Sequence, residues 1–194
     1  PLSLDPPVSG QQRASFVMDP ATGDRCADQV LFSSPSMKIV ARVQVGARTG
    51  WGATRGGGTP SIVFLRAGLF ECKTPTDYVF TDSTHVKCYD GQHEYRFQRL
   101  QDGGEAYTLI CPNPELMEQL FGKVGFQVTC SSDIHYRHLE LYRALHCGEL
   151  DQLEVEETAL GLLADVAAAF GACDELKPAG PLVRRRIQAA QAYL

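Results

Sequence analysis

Seven cysteines and five histidines are the side chains with the widest chemical range in this 194-residue sequence. The cysteines are Cys26, Cys72, Cys88, Cys111, Cys130, Cys147 and Cys173. Their number is odd, their spacing is wide and no Cys-x-x-Cys pair occurs, which argues against a zinc ribbon or a thioredoxin-like motif. Most are expected to behave as small buried hydrophobes. Cys72 and Cys88 lie on neighbouring predicted strands, where they would face one cavity and sense a soft metal or an oxidant. An open facial metal site needs three convergent ligands, and the histidines supply no such set. There is no His-x-His, and His85 and His93 lie eight apart with only loose neighbours. His135 and His138, three apart on a helical stretch, are expected on the surface, with His146 further along. Neither a metal ligand nor a catalytic residue is expected. Gly-x-Ser-x-Gly is missing, and the Gly-rich "RTGWGATRGGG" lacks the Gly-Lys-Ser/Thr ending of a phosphate-binding loop.

The elements that must position these groups are legible in outline. Hydrophobic content of 44% and charged content of 21% suit a folded core in a soluble chain. A net charge of −5 gives no basic surface for nucleic acid. Apolar runs are too short for a membrane span. With no leader pattern visible, a cytoplasmic protein with reduced thiols is expected. Residues 1–29 are polar and rich in turn formers and read as an arm. From residue 30 to 130 the pattern is β. "MKIVARVQV", "SIVFLRAGLFECK" turning at Ala67-Gly68, "TDYVFTD", "HVKCYDG", "EYRFQRL" and "AYTLICP" succeed one another at short intervals, as in an antiparallel sandwich or barrel. Helices are predicted over 114–122, 131–148 and 151–171, each opened or closed by a capping signal. Strands first and helices after make an α+β fold.

Alternation along the strands picks out a pocket at one barrel mouth. Phe64, Arg66, Tyr78, Cys88, His93 and Tyr95 are its predicted lining, with Arg66 suited to an anion. A slip of one residue would reverse the facing of any strand. On the last helix, Val155, Ala159, Leu162, Leu163, Val166 and Phe170 repeat at helical spacing. Leu160 and Ala167 widen that stripe beyond what one surface needs. Val155, Ala159, Leu160, Leu163 and Ala167 are therefore the expected contacts of a symmetric dimer.

Three stretches, taken in order, carry a family resemblance. "FTDSTHVKCYDGQHEYRFQRL" holds Tyr89, Gly91, Tyr95 and Arg96; "VEETALGLLADVAAAF" follows, and then "VRRRIQAAQAYL". Together they resemble the N-terminal effector-binding and dimerisation region of AraC-type transcriptional regulators. The resemblance implies a cupin-like antiparallel β-barrel followed by two or more α-helices, a small-molecule effector, a homodimer and no cofactor. It divides the chain into an arm (1–29), an effector-binding and dimerisation domain (30–175), and a linker with the start of a missing helix-turn-helix domain (176–194). DNA would be reached only through that absent domain. The alternatives are a cupin-type metal-dependent enzyme, which usually carries the His-x-His missing here, and a cysteine-based metal or redox sensor.

Overall fold

The computed structural model describes residues 17–18, 25–46, 50–56, 58–91, 94–122 and 127–173. The linker and truncated helix predicted over 176–194 lie outside these residues, as does His93. β-branched and aromatic runs make ten strands among them. These are β1 (Val17–Met18), β2 (Arg25–Ser33), β3 (Met37–Val45), β4 (Ser61–Ala67), β5 (Phe70–Lys73), β6 (Tyr78–Thr81), β7 (His85–Tyr89), β8 (Arg96–Arg99), β9 (Glu105–Pro112) and β10 (Gln127–Thr129). One antiparallel sheet runs β1-β2-β3-β9-β4-β7-β10 and a smaller one runs β6-β5-β8. Two predictions are corrected here. The first sheet takes in residues 25–29, which the sequence placed in the arm. β4 and β5 do not pair with each other: at Ala67-Gly68 the chain leaves the large sheet and enters the small one.

Among the described residues three helices follow the strand-rich part: α1 (Pro114–Phe121), α2 (Ser132–Cys147) and α3 (Gln152–Cys173). Asn113 caps α1 by accepting from the Leu116 N–H at 2.8 Å, with Pro114 at the first helical position. Ser131 caps α2 by accepting from the Ile134 N–H, and Gly148 ends it in the left-handed conformation at φ 67°. Among the described residues no helix is long and apolar enough to cross a membrane.

Register decides which face of the large sheet meets the helices. Ile39 pairs with Ile110, Ile110 with Ile62, and Ile62 with Cys88. These four, with Phe64 and Val86, form the apolar face onto which α1, α2 and α3 pack. Val155, Ala159 and Leu163 of α3 are completely or almost completely buried in that core. They therefore serve the chain's own fold, which corrects their placement at a partner contact. Leu160 and Ala167 sit half-buried at the margin of the same core. An Arg137–Asp165 ion pair ties α2 to α3 across their outer side.

Candidate functional site

Side chains alternate faces along a strand, so the opposite face of the large sheet carries a second, mostly polar set. On β3 these are Lys38, Val40, Arg42 and Gln44. On β9 their partners are Cys111, Leu109, Tyr107 and Glu105 respectively. Asp28 of β2 lies across from Arg42 on the other side. Ser61 and Val63 of β4, and Tyr89 of β7, continue the surface. β5 and β8 cover part of it with Phe70 and Phe97. What remains is a cavity of about 790 Å³ that these residues line together with Thr54, Arg55, Thr59, Asp90, Gly91 and Tyr95.

Loop 50–56 forms one rim because its backbone is bonded to the start of β8. The Arg55 N–H donates to the Tyr95 carbonyl at 2.7 Å, and the Tyr95 N–H returns a bond at 2.8 Å. The Gly52 N–H donates to the Phe97 carbonyl, and Arg96 Nε donates to the Gly52 carbonyl, each at 2.9 Å. The Arg55 guanidinium then lies 4.7 Å from the centre of the Phe97 ring, a cation–π distance. Gly91 is required at the same rim. Its φ of 78° and an approach that would bring a Cβ to 2.4 Å from the Gly58 carbonyl both exclude a side chain.

The charges of the cavity come ordered. Arg42 grips Asp28 with two bonds, Nε to Oδ1 at 2.5 Å and Nη2 to Oδ2 at 2.6 Å. That hydrogen bonding holds the Arg42 guanidinium even further above its ordinary range. Deeper in, Glu105 receives two bonds from Arg99, both at 2.8 Å, and both side chains are buried. The Tyr107 hydroxyl donates to Gln44 Oε1 at 2.7 Å. Tyr89 and Tyr95 lie with ring centres 4.7 Å apart. Burial raises the phenol pKa of Tyr89, Tyr95 and Tyr107, so all three stay neutral at physiological pH. The wall thus offers fixed guanidinium forks, hydroxyls, a carboxamide and aromatic faces. Such a set can hold a polar organic molecule in one orientation.

Of the predicted lining residues that are described, Tyr95 alone is found on the cavity. Phe64 and Cys88 belong to the helix-side core, and the Phe64 ring stacks on His138 at 4.4 Å. Arg66 also faces the helices. Its guanidinium lies 4.0 Å from the Tyr142 ring centre and donates from Nη2 to the Tyr107 carbonyl at 3.3 Å. Tyr78 packs edge-on against Trp51 at 5.8 Å, away from the lining. On β4 and β7 the prediction was out of phase by one residue: Val63 and Tyr89 face the cavity where Phe64 and Cys88 were expected. The thiol pair fails for the same reason. Cys88 joins the helix-side core, whereas Cys72 joins a second apolar cluster with Leu65 and Phe70. Burial pushes the Cys88 thiol up to about 12.

His138 was expected on the surface and is instead completely buried, with neither ring nitrogen bonded. Burial first, then the charges of His135 and Arg66, pull its pKa down to about 3. His85 bonds Asp82 Oδ1 at 2.8 Å. Among the described residues no group of three His, Cys, Asp or Glu side chains is placed to hold a metal ion. Sequence reasoning missed Asp28, Lys38, Arg42, Gln44, Arg55, Tyr89 and Tyr107 as lining. The usable signal was the polar alternation of "MKIVARVQV", which marks one face of β3 as unsuited to the core.

No known sequence family matches this chain, and no curated protein matches it. Solved structures do resemble it. The AraC-like transcriptional activator CuxR superposes with a TM-score of 0.57 at 12% identity, over 82% of this chain and 59% of CuxR. KdgF from a Halomonas species superposes at 0.39 with 12% identity, over 53% of this chain and 92% of its own. An oxalate decarboxylase from Bacillus subtilis does so at 0.39 with 7% identity, over 52% and 28%. The chain therefore spans about three fifths of the length of CuxR, and the likeness is one of fold. That fold is α+β, a cupin-like antiparallel β-structure followed by helices.

Proposed function

We propose that this chain is the effector-sensing and dimerisation part of an AraC-type DNA-binding transcriptional regulator, and that its effector is a small polar organic molecule held between the two sheets. The observation that carries the reading is the cavity itself. Its volume of about 790 Å³ falls within the range of small-molecule sites. Its polar groups are fixed by the Asp28–Arg42 and Arg99–Glu105 pairs and by strand pairing. The superposition on an AraC-like activator supports the regulatory context, and the sequence resemblance points the same way. DNA contact belongs to a further domain of the parent protein, and a homodimer presents two such heads to an operator. Ligand occupancy then biases a two-state arrangement of the regulator.

A thermal-shift screen of small polar metabolites tests the proposal. A ligand that binds only the folded state raises the melting temperature with its concentration. At least one compound should do so, and Tyr95→Ala should remove the gain. A library that produces no concentration-dependent shift in the folded chain contradicts the reading.

A further inference from the structure

The chain between β3 and β4 leaves the large sheet and returns to it, yet on the way it is bonded to the small one. Its partners there are Tyr95 and the edge strand β8. Arg55 exchanges both backbone bonds with Tyr95, and Gly52 donates to Phe97. The loop therefore crosses from one sheet to the other, and Thr54, Arg55, Gly56, Gly58 and Thr59 line the cavity along it. Trp51 adds a contact to the small sheet, its ring meeting Tyr78 of β6 edge-on.

These contacts suit a part that detaches as a unit. The bonds to Tyr95, Arg96 and Phe97 fall on one short segment, so a single swing away from β8 breaks them together. Ala53, Thr54, Gly56 and Gly58 are already exposed, so the swing brings little new apolar surface of the loop into water. Glycine stands on both sides, Gly50 and Gly52 before Thr54 and Gly56-Gly57-Gly58 after Arg55. A Cβ at Gly50 or Gly58 would meet nothing within 4 Å, and neither has a left-handed φ. Space and dihedral angle thus do not demand glycine at these two positions. What it supplies there is backbone freedom, which a hinge uses.

We propose that residues 50–56 form a flap that opens and closes the mouth of the cavity, turning about Gly50 and Gly58. The proposal rests on reading the cavity as the effector site and adds how a ligand enters it and is retained. Closed, as in this structure, the flap is bridged to Tyr95 and holds Thr54 and the Arg55 guanidinium at the cavity, the latter against the Phe97 ring. Open, these groups swing out together and the space between the sheets is exposed. A ligand that touches Thr54 or Arg55 gains those contacts only with the flap closed, so binding favours the closed state.

Native-state hydrogen exchange of the wild-type chain tests the motion without a ligand. The Gly52, Arg55 and Tyr95 amides all donate across the flap contact, whereas Ile39 and Ile110 pair within the large sheet. In low urea the three flap amides should share one protection, at least about tenfold below that of Ile39 and Ile110 and independent of urea, as local opening requires. Exchange of all five that rises together with urea means that the flap opens only when the chain unfolds, and overturns the proposal. Gly50→Ala with Gly58→Ala, checked for folding by circular dichroism, narrows the open state and should raise flap protection by about fourfold or more. Cys111, a free thiol on the cavity wall, reports on the mouth. Its labelling by a bulky maleimide should slow by the same factor in this variant, while exposed Cys147 labels as before. Cys111 labelling at the wild-type rate, or flap protection unchanged by the two substitutions, also overturns the proposal. If the flap fails by these measures while a compound still raises the melting temperature, the effector site stands. If no compound does so either, both readings fail.

Discussion

Arg99 and Glu105 form a buried ion pair that is costly to break. A buried ion pair gains little over an apolar one, but losing a single partner strands a charge where water cannot reach it. With both side chains buried and doubly bonded, Arg99→Met should cost about 3–5 kcal/mol. Urea unfolding read by circular dichroism would measure it. A loss below about 1 kcal/mol would mean that Glu105 is solvated or protonated in the variant. His138 makes a second prediction at this scale. Its folded pKa of about 3 lies below the ordinary value of 6.5, so below pH 6.5 the unfolded chain binds a proton that the folded chain refuses. The associated stability is fully present above pH 6.5 and is lost as pH falls toward 3, by up to about 1.4 kcal/mol per pH unit. His138→Phe keeps the stack on Phe64 and removes the proton site. Stability of this variant should fall less steeply than wild type between pH 6 and pH 4, as read by denaturant midpoints at a series of about five pH values. Parallel curves for the two proteins would exclude His138 as the source.

At the scale of elements, α3 illustrates how one apolar stripe can be misread. Its periodicity correctly gave a helix, and its width suggested two neighbours. The structure assigns most of that width to the chain's own core, through Val155, Ala159, Leu163 and their neighbours. Leu160 and Ala167 remain at the margin. If two copies associate along this margin, Leu160→Asp should shift sedimentation from dimer to monomer with little loss of fold, while Leu163→Asp should unfold the chain. Leu160→Asp that sediments like wild type places any dimer contact elsewhere. Helix positions and caps were legible because Asn113-Pro114, Ser131 and Gly148 are local signals. Strand facing on β4 was not. "SIVFLRA" is apolar on both faces because the helix-side core lies on one side and the covered part of the cavity on the other. A sequence apolar on both faces has no phase to read. The transfer from one sheet to the other at Gly68 was equally hidden, since a hairpin and a crossing share the same turn residues.

For the molecule as a whole, the two faces of the large sheet divide the work. One is filled by three helices, and the other is left polar and only partly covered by the small sheet. The proposed sensor role rests on this division, because a ligand can occupy the open face without displacing core. The most direct test is a hydrogen-exchange difference map of the chain with and without a saturating stabilising compound. Slower exchange is expected across residues 38–44, 50–56, 89–97 and 105–111, with α2 and α3 changed little. Protection confined to α2 and α3, with those cavity segments unaffected, would contradict a binding site between the two sheets.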